Sequence, residues 1–166
     1  RLHHHHVAAL SSEALSRLIG PARARAVAEA SRTDEKAEMA LAKRHGIRLL
    51  PFSDPAYPKA LGAIYDPPLV LSILGELTPA EGAEEPSCLG MVGARRCSVP
   101  GRILAERLAS GLASAGLTIV SGLARGVDQA AHKGALEAAG RTLAVLGSGL
   151  IRPYPPESKP LMERIA

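Results

Sequence analysis

The sequence predicts an α/β fold in which a parallel sheet follows a small N-terminal helical module. Three short apolar strands, Leu89–Val92, Leu117–Val120 and Thr142–Leu146, each run into a turn of small or cationic residues. Two segments with helical spacing separate them, and strands joined by such helices pair in parallel with right-handed crossovers. Before the first apolar strand-like run, at Ile47–Leu50, only helical patterns occur.

Along the chain, Ser11 or Ser12 caps a short helix through Leu18, with Glu13 in its first turn. Gly20-Pro21 breaks the chain, and Pro21 suits the first turn of a second helix to about Ala30. Leu18 to Ala24 looks like the hairpin of a helix-hairpin-helix, but Arg17 stands where its first glycine belongs, which favours a plain packing unit. Thr33 or Asp34 caps a third helix that stops at His45-Gly46. Ile47–Leu50 and Leu69–Leu74 read as strands around a proline-punctuated stretch, and the acidic Thr78–Pro86 is the natural linker. Gly101 to Ala115 carries an apolar stripe of Ile103, Leu104, Leu108 and Leu112, and Val127 to Ala139 forms the next helix. A last helix starts at Pro156. The expected division is residues 1–46 for the helical module, 47–86 for the approach and linker, and 87–166 for the first part of the sheet domain. Three parallel strands cover themselves poorly, so the chain reads as truncated.

Composition narrows the function. Apolar content of 46% is ample for a core, but one Phe, three Tyr and no Trp argue against a single-strand binder built mainly on aromatic platforms. Residues 1–84 hold 10 basic and 10 acidic side chains, whereas residues 85–166 hold 10 basic and 6 acidic. The net charge of +4 thus belongs to the strand-and-turn half. Arg outnumbers Lys 15 to 5, which suits planar phosphate contacts. Cys88 and Cys97 make neither a disulfide framework nor a metal-ligand spacing, and favour a reducing compartment. No apolar run nears the roughly 20 residues that span a bilayer, and no signal peptide is visible, so a cytoplasmic protein is expected. His3 to His6 read as a tag remnant or a fortuitous run; no metal or cofactor site is expected.

The three turns emerge together at the carboxyl edge of the sheet, where open α/β folds bind ligands. In the first, Gly93-Ala94-Arg95, the glycine permits close approach and Arg95, followed by Arg96, suits a phosphate. No G-x-G-x-x-G or GxxxxGK[ST] pattern accompanies it. The second, Ser121-Gly122-Leu123-Ala124-Arg125-Gly126, sets two glycines around a cation at a helix N-terminus, an anion cradle. Asp128 either contacts the ligand or ties down neighbouring N–H groups, and His132 shares its helix face. Ser121, Asp128 and His132 lack the strand-elbow context of a hydrolytic triad and read as support. The third, Gly147-Ser148-Gly149, again permits close approach, with Arg152 adding charge and Tyr154 wedging the loop.

Met91-Val92-Gly93-Ala94-Arg95, Val120 through His132, Ala144 through Gly149 and Tyr154-Pro155 strongly resemble the DNA-processing protein A family (DprA, also called Smf). Tyr57-Pro58 and Asp66 to Leu71, ending in Gly75, resemble the family's approach to its sheet, so the similarity covers roughly residues 46 to 160. The N-terminal helices resemble the helical module often fused to this family more loosely. The resemblance implies a Rossmann-like domain that binds single-stranded DNA without sequence preference. It further implies loading of RecA recombinase in natural transformation, no catalysis, and a homodimer in the complete protein. Carried over by position, Arg95 contacts the DNA backbone, Gly93, Ser121, Gly122 and Gly147 to Gly149 wall the pocket, and Arg96 and Arg125 are outer contacts. Two departures stand out: Pro100 replaces the family's aromatic before Gly101, and the later half of the family domain is missing. The rival reading is a nucleotide-binding Rossmann-like enzyme acting on a nucleoside monophosphate.

Overall fold

A computed structural model describes residues 11–30, 35–77 and 87–166, and the chain divides into two compact units, Arg1–Leu41 and Ala42–Ala166. In the first unit, the Ser11 hydroxyl accepts from the Ala14 amide at 3.2 Å and starts α1 (Ser12–Ile19). Glu13 meets Arg17 one turn on, at 2.6 Å on an exposed face. Gly20 ends the helix with a φ of 83°, a conformation open to glycine at little cost, and α2 (Pro21–Ala30) starts at once. α3 (Glu35–Arg44) begins in this unit; its expected caps Thr33 and Asp34, the linker 78–86 and His3 to His6 lie outside the described residues.

In the second unit, α3 ends at Gly46, whose φ of 65° turns the chain. β1 (Arg48–Pro51) then pairs antiparallel with β2 (Val70–Ile73), Arg48 opposite Ile73 and Pro51 opposite Val70. The proline-rich stretch between them, including the short α4 (Lys59–Gly62), reverses the chain around buried Leu50, Tyr57 and Ile73. Tyr57 keeps its hydroxyl satisfied by donating to the Pro68 carbonyl at 2.8 Å. The two strands read from the sequence in this stretch thus pair with each other as an antiparallel ribbon.

The parallel sheet runs β3 (Cys88–Gly90), β4 (Thr118–Ser121) and β5 (Thr142–Ala144), in that order. Leu89 lies opposite Ile119, and Val120 opposite Leu143. Strand pairing stops earlier than the apolar runs do, although Met91 N–H still reaches the Val120 carbonyl and Val145 N–H the Ser121 carbonyl.

α5 (Val99–Ser114) and α6 (Val127–Glu137) pack on each other and both against β4, so they share one face of the sheet. Their seam is made of small residues: Ala109, Ala113, Ala131 and Ala135 close around Ile119. Gly134 is required there, because a Cβ would collide with the Glu106 carbonyl of α5. The abundant alanine of the sequence finds its use in this close helix pair, where larger side chains would force the axes apart. α7 (Lys159–Ile165) follows a single 3-10 turn and covers α6 and β5 with Leu161 and Met162.

Candidate nucleic-acid interface

The first two turns are fastened to each other. A Cβ on Gly93 would stand 2.7 Å from the Val127 side chain, and one on Gly126 would strike the Ala94 carbonyl. The Val127 amide donates to that same carbonyl at 3.3 Å. Gly93 therefore admits α6, its close approach being to protein, and it does not line the cavity described below. Ser121 is buried, and its hydroxyl donates to the Met91 carbonyl at 2.6 Å, tying the end of β4 to the end of β3.

Asp128 governs the second turn. Its Oδ2 accepts from the amides of Gly122 at 3.1 Å and Ala124 at 3.3 Å. A buried carboxylate thus already engages the two loop amides that an anion at this turn would otherwise meet. Between the two amides Leu123 adopts a φ of 59°, a left-handed conformation unfavourable for a branched side chain. Its side chain is fully buried against Leu161 and Met162, which offsets that cost.

His132 is fully buried below the turn. Thr142 Oγ1 donates to the Ile119 carbonyl at 2.8 Å, so its contact with His132 Nδ1 at 2.7 Å has the imidazole as donor. That fixes the neutral Nδ1–H tautomer and leaves Nε2 with no hydrogen-bond partner among the described residues. Burial pushes His132 down to about 4, against smaller opposing effects of Asp128 and a backbone hydrogen bond to Ser121. Ser121 and His132 therefore face different partners, and the trio is no hydrolytic triad.

The third turn is built differently. Nothing stands within 4 Å of a Cβ on Gly147 or Gly149. The Ser148 hydroxyl accepts from the Tyr154 amide at 3.0 Å and closes the loop. The wedge is Pro155, fully buried after a cis peptide bond, whereas the Tyr154 side chain is 63% exposed.

These turns meet around one cavity of about 590 Å³. The first gives Arg95 and Arg96, the second Gly122, Ala124 and Arg125, the third Gly147 and Ser148, with Tyr154 and Pro155 completing the wall. Six of the nine binding residues expected from sequence are thus assembled; Gly93, Ser121 and Gly149 are not among the lining residues. Behind the wall, Asp128 holds the Gly122 and Ala124 amides, while the His132 side chain is bound to Thr142, which does not line the cavity. Arg125 Nε donates to Glu157 Oε1 at 2.5 Å, and this partner holds the Glu157 carboxyl below the usual carboxylate range. Glu157 escaped the sequence reading; its one signal is an acid placed just past Tyr154-Pro155-Pro156 in a basic half. Arg95 and Arg96 pair with no carboxylate among the described residues.

A family model for DNA recombination-mediator protein A matches residues 48–166, which covers both the ribbon and the sheet. The chain belongs to that family. Its sequence is 43% identical over 113 residues to Protein Smf of Synechocystis, covering 68% of this chain and 28% of that protein. It is 34% identical over 128 residues to DNA processing protein DprA of Bacillus subtilis, covering 77% of this chain and 42% of that protein. The X-ray structure of DprA from Streptococcus pneumoniae superposes with a TM-score of 0.64 at 37% identity, over 77% of this chain and 44% of that one. The chain spans less than half the length of these relatives. The family fold, a Rossmann-like parallel sheet, is the one found here, and the DprA/Smf resemblance read from the three turns holds. Among the described residues, no helix is long and apolar enough to cross a membrane.

Proposed function

We propose that the turn cavity binds the backbone of single-stranded DNA without sequence preference. In that role the protein acts as a cytoplasmic, non-enzymatic recombination mediator, which protects incoming strands and helps load RecA recombinase in natural transformation. The complete protein would work as a homodimer. The carrying observation is that three separate turns wall one cavity at the carboxyl edge of the sheet, and the first two of them deliver Arg95, Arg96 and Arg125 to it. The titratable groups on its wall are these arginines and Tyr154, which suits charge neutralisation better than acid–base chemistry. Phosphates would be met by guanidinium groups, since Asp128 and Ala94 already engage the nearby amides of the second turn. Tyr154 offers an exposed ring to a base, and ring stacking tolerates any sequence. The curated relatives named DNA processing protein agree with a nucleic-acid ligand.

The volume alone also suits one small ligand, so a nucleoside monophosphate enzyme is the reading to defeat. Fluorescence anisotropy of labelled oligo-dT, with duplex and a mononucleotide as competitors, separates the two at two salt concentrations. Tighter binding with strand length, falling steeply with salt, is expected. Arg95→Ala should weaken all sequences alike and lower the salt slope by about 0.7. Mononucleotide binding with no gain from length would overturn the proposal.

A further inference from the structure

Beside the turn cavity, and sharing Arg95 and Arg96 with it, lies a second groove of about 580 Å³ between the start of α5 and the face of α6. α5 lines it with Arg102 and Glu106, one helical turn apart, and α6 with Gln129 and Lys133, also one turn apart. Arg164 of α7 stands at its edge with Glu137. Five cations thus face two carboxylates. Among the described residues neither Arg102 nor Lys133 forms an ion pair, and both are exposed. The side-chain amide nitrogen of Gln129 is buried and has no hydrogen-bond partner among the described residues.

Each cavity alone has the size of a small-ligand site. Joined across Arg95 and Arg96, they make one basic track longer than any mononucleotide needs. We propose that the α5–α6 groove is a second phosphate-binding site that receives the continuation of a strand seated in the turn cavity. Arg102 and Lys133 contact further backbone phosphates, and Arg95 and Arg96 form the crest that the strand crosses. This rests on the single-strand reading above and adds a direction of travel: the strand leaves the carboxyl edge of the sheet over the helix pair. It also assigns binding energy to residues outside the three turns that carry the family resemblance.

The test compares oligo-dT of about four and about sixteen nucleotides, the span of site sizes in single-strand binders. Anisotropy is measured for the unchanged protein, for Arg102→Ala/Lys133→Ala, and for Arg107→Ala, which removes one cation from α5 outside both cavities. Circular dichroism confirms that each exposed-residue variant keeps its fold. The expected result is a loss of about tenfold for the longer strand in the double variant, with the shorter strand changed less than about twofold. Its salt slope for the longer strand should fall by about 1.4, two phosphates at about 0.7 each. Arg107→Ala should leave both strands unchanged. Equal losses on both lengths, or an equal loss in Arg107→Ala, would reduce the effect to general attraction and overturn the groove. Undiminished binding of the longer strand by the double variant would overturn it too. Failure of the unchanged protein to bind either strand would sink the single-strand reading itself, and the groove with it.

Discussion

The second and third turns carry nearly the same sequence signal, glycines flanking small or polar residues after an apolar strand, and they are opposite in construction. In the second, every constraint points inward: Gly126 yields to the Ala94 carbonyl, Asp128 holds two amides, and Leu123 is driven into the core at a positive φ. In the third, Gly147 and Gly149 border open space and the fold asks nothing of them. A glycine-bearing turn is therefore two different devices. One locks a helix onto a sheet edge, and the other leaves room for something the protein does not contain.

Substitution at Gly126 tests the first half of that contrast and should give the largest effect. Alanine there meets both a φ of 84° and a collision with backbone, which has no flexible end to swing aside. We expect Gly126→Ala to cost about 3 kcal/mol in chemical denaturation. Gly147→Ala, the counterpart in the open turn, should change stability by less than about 0.5 kcal/mol and yet weaken oligo-dT binding several-fold. If both variants lose stability alike, the distinction between the turns collapses.

The locked side should also respond to acid. His132 titrates near 6.5 when unfolded and is pushed down to about 4 by burial. Between those values the unfolded chain binds the proton and the folded one does not, so stability is complete above pH 6.5 and declines toward pH 4. The loss is at most about 3 kcal/mol over that window. His132→Asn, which sets an amide near the Nδ1 position facing Thr142, should be less stable at neutral pH but flatter across the window. Equilibrium denaturation across that pH range reads the slope directly; identical slopes would mean that the Asp128 charge and the Ser121 backbone balance the burial of the imidazole.

Much of this architecture was legible in the sequence. Strand period, glycine stops and helical spacing placed the parallel sheet, both crossover helices and the three turns, because each is a local consequence of local residues. What escaped depends on partners distant in sequence. Whether a glycine packs or stays open is decided by Val127 for Gly93 and by Glu106 for Gly134, about 30 residues away in each case. A left-handed Leu123 carries no sequence mark at all, since leucine is an ordinary residue whose conformation is imposed by burial. Both strands of the β1–β2 ribbon were read, but not their antiparallel pairing, for a related reason: prolines announce a reversal but not which strands it joins. Of Asp128, the sequence left two roles open, and the paired contacts to Gly122 and Ala124 show the internal one.

The smallest effect falls on the rim between the two turns, where Glu157 reaches back to Arg125. Both side chains are more than half exposed, so their pairing contributes little to the fold. Its consequence is for the ligand: an anion approaching the cavity must compete with a carboxylate already seated on one of its three arginines. Arg125 engages Glu157 through Nε, and that carboxylate repels an incoming phosphate. Glu157→Gln removes the repulsion and keeps an acceptor for Nε. It should tighten oligo-dT binding about two- to threefold at low salt, with the gain shrinking as salt screens the rim. Unaltered affinity at low salt would place Arg125 away from the strand and leave Arg95 and Arg96 to carry the backbone contacts.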